Sequence, residues 1–322
     1  MFSIVYVLIS TGEDVYYKQL LISLRTLRRK MKDIPVIVLT DNETGEILKK
    51  NENTEIHDLA VLKSVKINGQ YTSKERSRYL KTSLRNILDG DLLFIDCDTA
   101  ICGDFSDYYN ECALAMVNDE NIPLKYYLNK QMLAKNNLTV GYDIEDYQNY
   151  YNSGVIWMRD LPETRQFFRH WHAQWKQELK YGNCLDQPPL NYVNEKIMPL
   201  ISHLPNIWNC QVSSNPSGIQ FLSQANIIHY YNFNSGPYKL ADRDFVLNKM
   251  DSKEMDEVIE NPRAAFGDAT ISAYASYNEF IEFTQTNVCR IMLYVYKKMR
   301  TLFNIFDIFF SPLIYLKEKI GK

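Results

Sequence analysis

The stretch Gly90–Phe105, GDLLFIDCDTAICGDF, constrains this chain more than any other. Four apolar residues, Leu92-Leu93-Phe94-Ile95, run without a polar break into Asp96-Cys97-Asp98. A run that short, closed by Gly90 on one side and acids on the other, suits a strand covered on both faces. Such strands belong to α/β sheets, and ligands bind beyond the carboxyl ends of those sheets. Asp96 and Asp98 are two residues apart, so on an extended strand they project to one face. Two hard oxygen ligands at a cleft rim suit Mg2+ or Mn2+ held partly by substrate phosphates. Taken alone, an Asp-x-Asp pair is more often only a turn after a strand than a metal site.

The chain before this stretch predicts such a sheet. Residues 3–10 read as a first apolar strand, and Thr11-Gly12-Glu13-Asp14 as a turn offering helix caps. Leu20, Leu21, Leu24 and Leu27 recur at helical spacing over Val15–Met31, with basic residues near its end, favourable for the dipole. Residues 35–40 form a second strand ending at Asp41-Asn42, and residues 43–51 a short helix. Residues 60–67 suit a further strand, and 73–88 a helix with Tyr79, Leu80, Leu84, Ile87 and Leu88 on its apolar side. This alternation argues for right-handed parallel βαβ units. Neither Gly-x-Gly-x-x-Gly nor Gly-x-x-x-x-Gly-Lys is present, so phosphates of a bound nucleotide would fall to a metal and to side chains.

Downstream, residues 113–117 predict a strand ending near Asp119. Residues 121–149 are polar and rich in Tyr and Asn, which suits a long loop or small helices over a cleft. Residues 151–158 read as a turn or bulge entering a strand, and 161–179 as a helix burying Phe167, Phe168, Trp171 and Trp175. Asp186-Gln187-Pro188-Pro189 marks a helix start, and Ile227-Ile228 leads into His229 at another strand end.

Composition changes near Asp251, which divides the chain into an α/β domain over 1–250 and a helical extension over 251–322. Residues 253–261 form an acidic helix, and residues 281–322 are aromatic and basic. One or two amphipathic helices with a basic side are expected in that tail. They suit an anionic membrane surface, or packing on the domain or on a second subunit. Asn304, Asp307 and Pro312 argue against a spanning helix.

A net charge of −3 gives no footprint for nucleic acid. The six cysteines form no Cys-x-x-Cys pair and no zinc spacing, which fits buried thiols in a reducing compartment. The apolar start lacks a basic region and a cleavage site, and reads as a strand rather than a signal peptide. A cytoplasmic protein peripheral to the inner face of the membrane is the expectation. Tyrosine, at 23 residues, suits sugar-binding clefts and membrane interfaces, or simply the base composition of the gene.

An apolar strand ending in Asp-x-Asp, then Asn152-x-Gly154-Val155, then Asp186-Gln187, then His229 with a downstream Gly236 and Lys239, resembles the GT-A nucleotide-sugar glycosyltransferases. The likeness is to glycosyltransferase family 8 and covers about residues 1–240. It implies a Rossmann-like, mostly parallel sheet flanked by helices, a UDP-sugar donor, Mn2+ (or Mg2+) and retention at the anomeric carbon. By that resemblance Asp96, Asp98 and His229 are the metal ligands, a sensible mixed set for Mn2+. Thr11, Tyr16 and Asp41 take the uridine positions, with Tyr16 stacking on the base and Asp41 accepting from it. Arg78, Lys81 and Cys97 join the donor-contacting set, and Asp119 touches a donor hydroxyl. Asn152 and Gly154 face the sugars, Asp186 and Gln187 lie beside the transferred sugar, and Lys239 contacts the diphosphate. The family pattern His-x-x-Gly-x-x-Lys-Pro-Trp is altered here by a longer insert before Gly236 and by loss of Pro-Trp.

The resulting expectation is a hexosyltransferase acting on a cell-surface glycan or lipid-linked acceptor, such as a lipopolysaccharide or capsule precursor. A glycoside hydrolase would also use two carboxylates. A degenerate site would leave a membrane-associated sugar-nucleotide-binding protein. The ordered set Asp96, Asp98 and His229 speaks for the transferase.

Overall fold

The computed structural model describes residues 2–50, 55–127, 130–212, 216–230, 239–266 and 286–320. The chain divides into two compact units, Met1–Tyr274 and Ala275–Lys322. The helix Lys253–Glu260 buries Met255, Val258 and Ile259 in the core of the first unit, so the α/β unit reaches past residue 250.

The described strands are β1 (Ser3–Leu8), β2 (Val36–Asp41), β3 (Val61–Val65), β4 (Leu92–Ile95), β5 (Thr99–Ile101), β6 (Leu114–Asn118), β7 (Tyr151–Met158), β8 (Ile201–His203), β9 (Cys210–Gln211) and β10 (Ile227–His229). The central sheet has the order β3-β2-β1-β4-β7-β6-β8. Its pairs are parallel except where β7 meets β4 and β6. The sheet is therefore mostly parallel, as expected.

Its apolar runs follow from burial on both faces. Ile4, Tyr6 and Leu8 of β1 enter one core with Leu20, Leu24 and Leu27 of the helix Val15–Lys30. Val5, Val7 and Ile9 enter the opposite core with Leu80, Leu84, Phe167, Phe168 and Trp171. The helix expected over 73–88 is instead two, Ser73–Thr82 and Leu84–Ile87, broken at Ser83. Thr82 Oγ1 donates to the Arg78 carbonyl at 2.8 Å and Ser83 Oγ to the Tyr79 carbonyl at 2.6 Å. Such back-bonding competes with the helical ladder. Thr72 and Glu75 form a reciprocal capping box that fixes where the first helix begins.

A second sheet has the order β5-β10-β9. Its strands are too short for a period-2 pattern, and β5 and β9 were not anticipated. Residues 119–150 fold as two 3-10 turns, Asp119–Asn121 and Leu124–Tyr126, and a helix Lys130–Leu138.

The second unit holds two helices, Asn287–Lys298 and Arg300–Ile320, separated at Met299. Thr286 caps the first through Oγ1 to the Cys289 N–H, 3.1 Å. Among the described residues no helix is long and apolar enough to cross a membrane.

Candidate active site

Strands β1, β2, β4 and β6 run in one direction, so their carboxyl ends share one edge of the sheet. Because β7 runs the other way, its first residues, Tyr151 to Gly154, lie at that same edge. Met116 pairs with Ile156 but Asn118 with Tyr151, so β7 carries extra residues opposite this stretch of β6. The irregularity falls on Asn152, Ser153 and Gly154 and turns their groups out of a regular ladder.

β4 stops at Ile95, and Asp96-Cys97-Asp98 is a bend rather than extended strand. The Asp96 carbonyl accepts from Thr99 Oγ1 at 2.9 Å and Cys97 Sγ donates to the Val7 carbonyl at 3.3 Å, which curls and anchors the segment. The aspartates therefore converge through a turn and not through strand alternation. The chain then enters β5, whose Thr99 pairs with His229 of β10. The Tyr230 N–H donates to the Asp98 carbonyl at 3.0 Å. This register delivers a distant imidazole to the Asp-x-Asp bend. Ligand atoms of Asp96, Asp98 and His229 lie within 4.8 Å of one another. Donors sharing one small divalent ion at about 2.1 Å each stand on the order of 3–4 Å apart, so the cluster is of the right size. His229 Nε2 lies 3.2 Å from Asp98 Oδ1.

Burial opposes charge on both members of that pair, but their attraction wins: Asp98 sits below the ordinary carboxylate range and His229 above the ordinary imidazole range. Burial pushes Asp96 up, against the pull of Lys81. Burial pushes the Cys97 thiol well up as well, so it stays neutral.

A buried amide chain backs the imidazole. His229 Nδ1 is 3.1 Å from Asn209 Oδ1, Asn209 Nδ2 donates to Asn152 Oδ1 at 2.9 Å, and Asn152 Nδ2 donates to Asp119 Oδ1 at 2.8 Å. Asp119 also accepts from the Tyr127 hydroxyl at 2.9 Å and from Gln187. Burial nevertheless pushes its carboxyl up. The two residues after it, Glu120 and Asn121, have φ of 54° and 59°, a left-handed pair of non-glycine residues. Gln211 clamps them: its Oε1 accepts from the Glu120 N–H at 2.8 Å, and its N–H donates to Asn121 Oδ1 at 2.7 Å.

Lys81, 2% exposed in its side chain, stands between two carboxylates. Its Nζ is 3.1 Å from both oxygens of Asp96 and 3.1 Å from Asp186 Oδ2. Asp186 also receives Ser153 Oγ at 2.7 Å and Arg78 Nε at 2.9 Å. Burial works against its charge, but Lys81 and Arg78 hold it far below the ordinary carboxylate range. In front of Asp96, Cys97 and Asp98 opens a cleft of about 370 Å³, lined also by Tyr16, Gln19, Ser77 and Arg78.

The family model described as glycosyl transferase family 8 matches residues 16–240. The chain belongs to glycosyltransferase family 8. A structure of the galactosyltransferase LgtC with donor and acceptor sugar analogues is similar, with a TM-score of 0.51 and 16% identity, covering 80% of this chain and 95% of that one. A second LgtC structure, an active-site mutant, gives 0.51 and 14%, covering 84% and 99%. Mouse xyloside xylosyltransferase 1 gives 0.48 and 13%, covering 71% and 97%. No curated protein matches by sequence. The fold is that of the GT-A glycosyltransferases. Family 8 membership carries a nucleotide-sugar donor, a glycan acceptor and a divalent metal.

Against the family 8 pattern, the structure gathers Asp96, Asp98, His229, Asp119, Asn152, Gly154, Arg78, Lys81, Asp186 and Gln187 into one connected network. Tyr16, 60% exposed, and Cys97 line the cleft. Thr11 sits on the turn before the first helix, where its N–H donates to Asp14 at 2.8 Å. Asp41 lies apart, in a neighbouring cleft of about 580 Å³, paired with Arg76 and accepting from the Thr44 N–H at 2.8 Å. Lys239 lies on a short turn with Nζ 5.9 Å from the centre of the Phe245 ring. Gly236 lies outside the described residues. Asn209, Gln211, Asn121 and Ser153 were not anticipated. Their spacing carries no signal, because buried amides are recruited by three-dimensional neighbours.

Gly154 is packed tightly against the imidazole. Its N–H donates to Asn152 Oδ1 at 2.8 Å and its carbonyl accepts from the Asp96 N–H at 2.8 Å. A Cβ there would meet the His229 ring, 2.5 Å from Nδ1, and Asn152 Oδ1 at 2.9 Å. A glycine is needed for the close approach.

Proposed function

We propose that this chain is a metal-dependent hexosyltransferase moving a hexose from a UDP-sugar to a cell-surface glycan or its lipid-linked precursor, with retention of anomeric configuration. The observation that carries this reading is the convergence of Asp96, Asp98 and His229, with Lys81 joining that cluster to Asp186. A divalent cation held by these three residues, Mn2+ or Mg2+, supplies Lewis-acid neutralisation of charge on a diphosphate leaving group.

The chain's own residues do the rest. Tyr16 offers a ring at the cleft mouth on which a uracil can stack, and Arg78 offers a fixed positive charge beside it. Thr11, Asp41, Gly236 and Lys239 complete the donor-contacting set in this reading. Asp119 and Asn152 present a carboxylate and an amide suited to donor hydroxyls. Asp186 and Gln187 face the reacting sugar. Asp186 is ionised and its oxygens are engaged by Ser153, Lys81 and Arg78. That suits stabilising positive charge at the anomeric carbon better than attacking it. A front-face displacement follows, in which the departing phosphate oxygen takes the acceptor proton and no separate base is needed.

The second unit exposes Ile291, Tyr294, Phe306, Ile308, Phe309 and Phe310, with Arg290, Lys297, Lys298 and Arg300 nearby in sequence. Exposed aromatics with basic residues suit an anionic membrane surface. In this reading the protein works at the inner face of the membrane, on lipopolysaccharide or capsule precursors.

Thermal unfolding against a panel of nucleotides, with and without Mn2+, tests the donor site. A ligand at a hundredfold excess over its dissociation constant adds roughly 2.7 kcal/mol to native stability. Stabilisation by UDP only with Mn2+, and lost in Asp98→Asn, is expected. No response to any nucleotide would overturn the reading, and a response to a different nucleotide would change the donor.

A further inference from the structure

Asn209 is fully buried, and its side-chain oxygen meets the Nδ1 edge of His229. We propose that Asn209 is a positioning residue that holds the Nδ1–H of His229, so that Nε2 is the nitrogen presented toward Asp96 and Asp98 for a metal. This rests on the reading of His229 as a metal ligand.

The direction of every bond in the amide chain is forced from one end. The Gly154 backbone N–H can only donate, and it lies 2.8 Å from one atom of the Asn152 amide. That atom must be the oxygen. The Asn152 NH2 then faces Asp119, an acceptor, at 2.8 Å. Asn209 also contacts the Asn152 oxygen, at 2.9 Å, so it must present its NH2 there. Its own oxygen is left facing His229 Nδ1 at 3.1 Å, and that nitrogen must carry the hydrogen. Nε2, the nitrogen beside Asp98, is therefore the one a metal would take, giving up its own hydrogen to do so. The Asn209 main chain is anchored as well: its backbone carbonyl accepts from Asn121 Nδ2 at 2.8 Å and its backbone N–H donates to the Asn206 carbonyl at 3.2 Å. Outer partners of this kind set the orientation and basicity of a ligating imidazole, and their loss costs about 10–100-fold in metal affinity.

Two readouts test this on the full chain. In wild type saturated with Mg2+ and UDP, the long-range nitrogen–proton NMR spectrum of the imidazoles should show His229 with a protonated Nδ1. An unprotonated Nδ1 overturns the proposal. Mn2+ titration in the presence of UDP, followed by electron paramagnetic resonance, should show about 10–100-fold weaker binding in Asn209→Leu. Asn209→Asp, which keeps an acceptor for Nδ1–H but loses the NH2 that meets Asn152, should lose less affinity than Asn209→Leu. Wild-type affinity in folded Asn209→Leu, or an equal loss in Asn209→Asp, overturns the proposal. Failure of wild type itself to bind Mn2+ would overturn the metal reading on which this rests, whereas Mn2+ binding that Asn209→Leu leaves unchanged would overturn only the role of Asn209.

Discussion

Replacing Gly154 by alanine adds one methyl group where strand and imidazole already touch. Gly154 lacks the positive φ that reserves a position for glycine, so the backbone accepts alanine and the cost is steric. The new Cβ would stand 2.5 Å from His229 Nδ1, where carbon atoms in good contact stand about 3.5–4.0 Å from their neighbours. The ring must retreat by about 1 Å, since the other wall is the strand itself. It is held by Asn209 at 3.1 Å and Asp98 at 3.2 Å, and such a shift takes one or both contacts beyond hydrogen-bond reach. Overpacking costs about 1–3 kcal/mol and each lost buried hydrogen bond about 1 kcal/mol, so Gly154→Ala should lose about 2–4 kcal/mol. A displacement of about 1 Å should also lower transfer about 10²-fold. The assay is urea unfolding of Gly154→Ala, His229→Ala and the double variant. Removing the ring makes room for the methyl, so the double variant should be more stable than the sum of the singles by about 1–3 kcal/mol. Strict additivity, or a Gly154→Ala protein as stable and active as wild type, would refute the steric reasoning.

Lys81→Met should cost about 3–5 kcal/mol in denaturant unfolding, because Asp96 and Asp186 lose a shared buried cation; an unchanged midpoint would show the pairs are not holding the fold. Glu178, 1% exposed with Asn183 donating to it at 2.6 Å, has its carboxyl pushed by burial from 4.5 up to about 8. Between those values the native state holds a proton that the unfolded state has released. Stability should therefore be greatest below the lower value and fall by about 1.4 kcal/mol per pH unit as pH rises through the window. Glu178→Gln should flatten that slope, and an unchanged slope would reassign it. Deleting residues 281–322 should release the protein from anionic vesicles in a flotation assay while sparing donor hydrolysis, and undiminished flotation would remove the tail from the membrane reading.

The central sheet was legible because strands buried on both faces announce themselves as unbroken apolar runs, as in β1, β2 and β4. Helix Val15–Lys30 and helix Pro162–Glu178 were legible from apolar spacing, within a residue or two at each end. The break at Ser83 was hidden because it depends on hydroxyls turning back onto carbonyls rather than on the apolar pattern. Strands β5, β8 and β9 were hidden for want of length. At the site, charged residues stood out because ionisable groups at strand ends are chemically conspicuous. Asn209 and Gln211 did not, since a buried amide differs from a surface one only in what surrounds it. The convergence of Asp96 and Asp98 was anticipated for the wrong local reason, a strand instead of a bend.

The pairing of Thr99 with His229 has a consequence for the order in which this protein acquires its chemistry. Asp96 and Asp98 emerge from the ribosome early, and their imidazole partner emerges only after β6, β7 and β9 have been made. Closing so long a loop costs little more entropy than closing a shorter one, so the delay is one of synthesis rather than of stability. A nascent chain halted before Ile227 has both aspartates and lacks His229. On the proposed reading, donor binding belongs only to chains that have passed His229, and a product truncated before it should neither sequester nor hydrolyse activated sugar.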